Sequence, residues 1–222
     1  FETQTRDCNE NLSIWDLSQF GSQKAISETD QYGLLCRRPQ IDDISIMPHS
    51  ILQWTDDEKY AFFLTSRGVL NCYNSTDLNT SLTTYEQRGL VTFALSQIVD
   101  KVTQGSSTVP QQASENQHIS LFSPTVGDKP GIIALFRVTD ILTAKTTKQL
   151  SPRQTLSLFR ATEVHMKWHS SGKAMLALTY FDDPTVDSYY PESRLFLMYT
   201  DAPPKRVGFN DTNPNPNVFD VQ

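Results

Sequence analysis

His165 and His169 stand four residues apart, the spacing at which two imidazoles share one face of a helix and bind zinc. The surrounding EVHMKWHSSGK reads instead as a strand running into a turn, and no acidic third ligand follows at a useful spacing, so no metal site is expected. His49 and His118 are isolated, the pattern of surface or half-buried histidines. A serine nucleophile would want the G-x-S-x-G elbow, which the sequence lacks. It also lacks GxxxxGK[ST] and GxGxxG, so no phosphate cradle of a known kind is present. Asp182, Asp183 and Asp187 cluster near Glu192, but without the spacing of a calcium loop, and they read as turn acidity. No catalytic residue, cofactor or metal ligand emerges, and the expectation is a protein that is not an enzyme.

Chemistry of recognition is better represented. Aromatic–arginine pairs occur at Phe136-Arg137 and Phe159-Arg160. Bases of single-stranded nucleic acid stack on such pairs. In a β-sheet the expectation is that each Phe is core and each Arg reaches outward. Tyr189-Tyr190, in a loop flanked by Pro184 and Pro191, is a candidate partner contact, since tyrosine is enriched at binding surfaces. Basic candidates for RNA contact are Arg37-Arg38 and Lys205-Arg206, with dispersed Lys145, Lys148 and Arg153. Scattered charges of this kind most often mark solvated faces.

These residues sit in a chain of 222 residues with 19 Lys+Arg, 25 Asp+Glu and a net charge of −6. A pI near 5.2 argues against a stand-alone nucleic-acid clamp. No apolar run approaches the ~18 residues of a membrane span. Cys8, Cys36 and Cys72 are odd in number and widely spaced, with no CxxC pair, and read as reduced thiols of a cytosolic protein. The Asn-x-Ser/Thr triplets at Asn11, Asn74, Asn79 and Asn210 read as coincidences, because no signal segment precedes them. The start at Phe1 and the stop at PNPNVFDVQ read as the ends of a piece of something larger.

The elements that must position any site are short strands. ILQW, YAFFLT and GVLNCYN are separated by TDDEK and SRG, turn chemistry between β-rich runs. GLVTFALS, HISLFSPT, GIIALFRVTD and TLSLFRA follow, then EVHMKW, KAMLALTYF, SRLFLMYT and KRVGF. Residues 98–117 read as a long surface loop with at most one helical turn, and ILTAKTTKQLSPRQ and FDDPTVDSYYPES as two further loops. The order repeats. Trp54 and Trp168 each end a strand, a polar turn closing on Lys59 or Lys173 follows, and two more apolar strands come after. Four-strand sets of this kind, with a Trp15-Asp16 dipeptide near the start, predict an all-β, WD-like β-propeller of four-stranded antiparallel blades. A partial blade is expected at 1–45, then blades at 48–87, 89–160 and 162–209, with 210–222 as a Pro/Asn-rich tail or linker. Three and a half blades are too few to close a ring.

One stretch carries a family likeness. ATEVHMKWHSSGKAMLALTYFDDPTVDSYYPESRLFLMYTD resembles a blade of the eukaryotic translation initiation factor 2A family. Trp168, Lys173, Asp182, Asp187, Ser188, Tyr189, Tyr190 and Leu195 fall on that family's pattern. ILQWTDDEKYAFFL, NLSIWDL and FSPTVGDKPGIIALFRV resemble its other strand and turn segments, the last with Gly127, Lys129 and Pro130 at the turn. Residues 98–117 depart from the pattern as an insertion. The resemblance implies a propeller, nine-bladed in that family, that acts in translation initiation in the cytoplasm. It implies association with the small ribosomal subunit, initiator tRNA, mRNA and other initiation factors, and no membrane. The family's functional residues form no compact motif, and none is carried over. The propeller scaffold subunit b of initiation factor 3 shares the blade pattern, and a generic WD-type interaction scaffold is the reading outside translation.

Overall fold

Short apolar runs broken by Gly, Asp and Ser turns fold as up-and-down antiparallel meanders. The structure, a computed structural model, describes residues 10–15, 34–39, 52–65, 67–87, 89–97, 116–144, 150–181 and 192–207. β1 (Glu10–Trp15) pairs with β2 (Leu34–Pro39) in a two-stranded sheet. Three four-stranded antiparallel sheets follow in chain order. The first holds β3 (Leu52–Trp54), β4 (Tyr60–Leu64), β5 (Val69–Asn74) and β6 (Asp77–Glu86). The second holds β7 (Thr92–Leu95), β8 (His118–Ser123), β9 (Gly131–Arg137) and β10 (Gln154–Leu158). The third holds β11 (Ala161–Trp168), β12 (Ala174–Phe181), β13 (Glu192–Tyr199) and β14 (Lys205–Arg206). These are the blades of a partial propeller. The expected tail 210–222 and residues 98–115 of the expected loop lie outside the described residues.

Sheets buried on both faces require strands that are apolar throughout, with alternate residues assigned to opposite interfaces. In β8, Ile119 and Leu121 pack toward the first sheet, and Phe122 packs toward the third. In β9, Ala134 and Phe136 pack toward the first sheet and Ile133 toward the third. β4 divides likewise: Phe62 and Leu64 face the second sheet, while Ala61 and Phe63 join Tyr73 and Leu78 on the other side. β6 is the outermost strand of its sheet and is mostly exposed, which is why its sequence is polar.

Two expectations need correction. The segment beginning ILT was read as loop, but Val138–Thr143 is a short helix, α1. Val138 and Ile141 stand three apart and are both buried against the first two sheets, and Asp140 at the third helical position accepts the Arg137 N–H. Phe159 was expected in the core and is 66% exposed. It lies in the turn between β10 and β11, where the chain passes from one sheet to the next, so no neighbouring sheet covers it. Phe136 fits the expectation, being buried in β9.

The Trp-ended turns are superimposable in their bonding. Thr55 N–H donates to Tyr60 O and Glu58 N–H to Thr55 O; His169 N–H donates to Ala174 O and Gly172 N–H to His169 O. Ser75 N–H then reaches Lys59 O, as Thr200 N–H reaches Lys173 O. The fourth residue after each Trp has positive φ, 55° at Glu58 and 64° at Gly172. The turns differ in what lies above them. A Cβ at Gly172 would come within 2.5 Å of Gln97 O, a backbone atom of the second sheet. Gly172→Ala is therefore expected to cost more than ~2 kcal/mol, from left-handed strain plus displacement of that carbonyl. Glu58→Gly should be neutral or stabilising by up to ~1 kcal/mol. Urea denaturation of the two variants checks the contrast.

Candidate functional site

Alternating connections give the meanders two ends. One end carries the Trp-ended turns, the β7–β8 connection and α1. The other carries the β4–β5 and β8–β9 turns and the links from one sheet to the next.

At the Trp end the sheets converge on the second one. Ser96 N–H donates to His118 O and Ser96 Oγ accepts from His118 N–H, closing the inner pair β7–β8. Gln117 is fully buried beside them. Its side-chain amide donates to Ser96 O and accepts the Asp56 N–H from the first sheet, while its backbone O accepts from Val138 at the start of α1. Deeper in, Gln53 bridges the inner edge of β7, donating to Phe93 O at 3.0 Å and accepting from Leu95 N–H at 2.9 Å. Trp168 Nε1 donates to Ala94 O at 3.1 Å. The first strands β3, β7 and β11 thus lie side by side. A groove of about 390 Å³ opens among them, lined by Gln53, Phe93, Leu95, Gln97, Lys167 and Trp168.

His118 stacks on Trp168 with ring centroids 6.1 Å apart. Burial, then the nearby Arg153 and Arg137 charges, depress its pKa to about 4 against a weaker opposing effect of Asp140. His118 Nδ1 is buried without a hydrogen-bond partner, and so is Nε of Arg137, its direct cross-strand neighbour. Arg153 Nε lies 3.7 Å from Asp140 Oδ2. His118 is therefore a neutral packing residue at pH 7 and a poor proton carrier. His169 Nδ1 lies 2.8 Å from Ser171 Oγ, a serine–histidine contact in an exposed turn. The same ring nitrogen accepts the Ser171 N–H, and Ser171 Oγ accepts the Lys173 N–H. Thr55 and Asp57 make corresponding bonds in the first sheet, so this pair braces a turn and the contact carries no catalytic argument. The Cys72 thiol is buried, with its pKa pushed up to about 12 by desolvation, and is unreactive. Among the described residues no group of His, Cys, Asp and Glu could hold a metal.

The third sheet carries the likeness to a known family. A family model described as "Eukaryotic translation initiation factor eIF2A" matches residues 156–221. That stretch is similar to the eIF2A family. A curated relative, "Eukaryotic translation initiation factor 2A" from Saccharomyces cerevisiae, is 29% identical over 100 residues, covering 45% of this chain and 15% of the relative. A solved structure described as "Crystal structure of the eukaryotic initiation factor" superposes with a TM-score of 0.55 at 18% identity, covering 82% of this chain and 36% of that one. That likeness bears on the fold alone, and it supports the propeller architecture. The chain spans a small part of the eIF2A relative and about a third of the solved structure.

The residues singled out in the sequence are not gathered into one place. Lys205 and Arg206 are exposed on β14, the outermost strand of the third sheet. Arg37 and Arg38 lie on β2 in the separate two-stranded sheet. Tyr189 and Tyr190 lie outside the described residues. Sequence reasoning missed Gln53 and Gln117, whose polar side chains carry no pattern that marks them as buried bridges. It also missed the pairing of His118 with Trp168, which are 50 residues apart in sequence but adjacent in the fold.

The His118 environment predicts a pH dependence of stability. Its pKa in the fold lies below the ordinary 6.5, so between about 4 and 6.5 the unfolded chain binds a proton that the fold excludes. The stabilisation is complete above pH 6.5 and is lost as the pH falls toward 4. His118→Phe, which keeps the stack on Trp168, should flatten the change in urea midpoint between pH 7 and pH 5. An unchanged pH profile would place the titrating group elsewhere.

Proposed function

We propose that this chain is part of a non-catalytic translation initiation factor, a cytoplasmic propeller that associates with the small ribosomal subunit and assists delivery of initiator tRNA to start codons. The observation that carries the reading is the eIF2A match over residues 156–221, which falls on a complete blade packed against a second. A rigid stack of blades offers two loop-bearing ends and an outer rim, the geometry of a scaffold that holds large partners in place. The mRNA and other initiation factors are partners on the same reading. No helix among the described residues is long and apolar enough to cross a membrane.

Tyr189 and Tyr190 are proposed as partner contacts, and Arg37, Arg38, Lys205 and Arg206 as RNA contacts. Co-sedimentation with purified small ribosomal subunits across a salt series tests the proposal. Saturable, salt-sensitive binding that initiator tRNA strengthens is expected, and absence of binding at low salt would overturn it. Reversing the four charges should lower the slope of log affinity against log salt by ~0.9 for each duplex phosphate that the variant no longer neutralises. Alanine at Tyr189 and Tyr190 should weaken binding without lowering the melting temperature.

A further inference from the structure

Among the described residues only four large hydrophobic side chains are exposed, and three of them, Val91, Val126 and Phe159, lie at the end opposite the Trp turns. Hydrogen bonds tie their segments together. Val91 N–H donates to Phe122 O, while Thr125 donates through its N–H to Ala161 O and through its hydroxyl to Leu158 O. Phe159 is the most exposed of the three at 66%, and it is a flat ring. Arg160 holds its guanidinium carbon 5.5 Å from the centre of that ring. It does so from a left-handed backbone, φ 61°, that a glycine would adopt without strain. Lys129 is exposed on the adjoining β8–β9 turn, next to Asp128. An exposed aromatic beside an arginine, with a second cation on the neighbouring turn, matches the stacking surface and phosphate neutralisation that single-stranded nucleic acid requires.

We propose that Phe159 and Arg160, with Lys129, form a stacking site for single-stranded RNA on this end of the propeller. A base lies on the face of the Phe159 ring that Arg160 does not cover, and the flanking phosphates meet Arg160 and Lys129. The proposal rests on the reading of the chain as part of an RNA-associated factor and places one of its contacts in the described chain.

The test is fluorescence anisotropy of the full chain with labelled ten-nucleotide oligouridylate and oligoadenylate, and with a duplex of the two, at low and moderate salt. Phe159→Ala should weaken single-strand binding five-fold or more, from a stacking contribution of ~1–3 kcal/mol per base. Phe159→Trp should bind at least as tightly as the parent. Arg160→Gly should weaken binding and lower the salt slope by ~0.7. That variant removes the cation at a left-handed position that glycine adopts without strain, and its melting temperature is measured alongside to separate binding from folding. Failure of the parent chain to bind either oligonucleotide would overturn the proposal. So would Phe159→Ala binding as the parent does, or duplex binding as tight as single-strand binding. Loss of small-subunit co-sedimentation in Phe159→Ala with oligonucleotide binding unchanged would assign the patch to a protein partner instead. Parallel co-sedimentation of the parent chain keeps the two readings apart. Retained subunit binding with failed oligonucleotide binding sinks this site alone, and failure of both sinks the ribosomal reading as well.

Discussion

The junction of Ser96, Gln117 and His118 is the point on which the neighbouring sheets lean. The paired bonds between Ser96 and His118 close the inner hairpin of the second sheet, and Gln117 directs its buried amide to both sides of it. Asp56 bonds to it from the first sheet, α1 begins on its carbonyl, and Gly172 of the third sheet abuts Gln97 beside it. Buried amides must be satisfied, so each of these contacts fixes a distance and a direction as well as adding stability. Apolar packing between sheets is less directional. Phe62, Phe136 and Phe122 supply the bulk of the attraction, and the amide junction sets the register at which the sheets meet.

Much of the architecture was legible because it repeats. The Trp-ended strand, the polar turn closing on lysine and the next apolar strand occur twice, and their hydrogen bonds correspond one for one. Near-continuous apolar runs such as YAFFL and GIIALF announced sheets covered on both faces. What was not legible depended on position in three dimensions. β6 has no apolar run to mark it as a strand, because it is mostly exposed at the outside of its sheet. α1 is too short for periodicity to stand out, and its two buried residues are recognisable only once the sheets beneath them are placed. Phe136 and Phe159 have the same sequence context, an apolar strand and a following arginine, and opposite fates. One falls inside a strand between sheets and the other one residue beyond a strand end. A shift of a single residue at an element boundary separates a core side chain from a surface one, and boundaries are what patterns resolve least well.

The candidate binding surfaces divide between the two ends by chemistry. The Trp end holds a neutral histidine stacked on Trp168 and a groove among the first strands of the sheets. The opposite end presents isolated apolar side chains, with Arg160 and Lys129 on its turns. The likeness to the eIF2A family sits on the third sheet, which contributes strands to both ends. A scaffold with dissimilar ends is able to hold two unlike partners at once without competition between them.

The bridge made by Gln53 has a consequence for how such a chain survives its own synthesis. The inner edge of β7 is a row of backbone donors and acceptors, the kind of edge that invites a strand from another molecule. The Gln53 amide occupies Phe93 O and Leu95 N–H much as a neighbouring peptide group would, and it comes from a sheet made earlier in the chain. When the chain emerges from the ribosome, the first sheet arrives before the second and already carries the cap for its vulnerable edge. At this junction the growing chain is guarded against intermolecular pairing before any ring has closed.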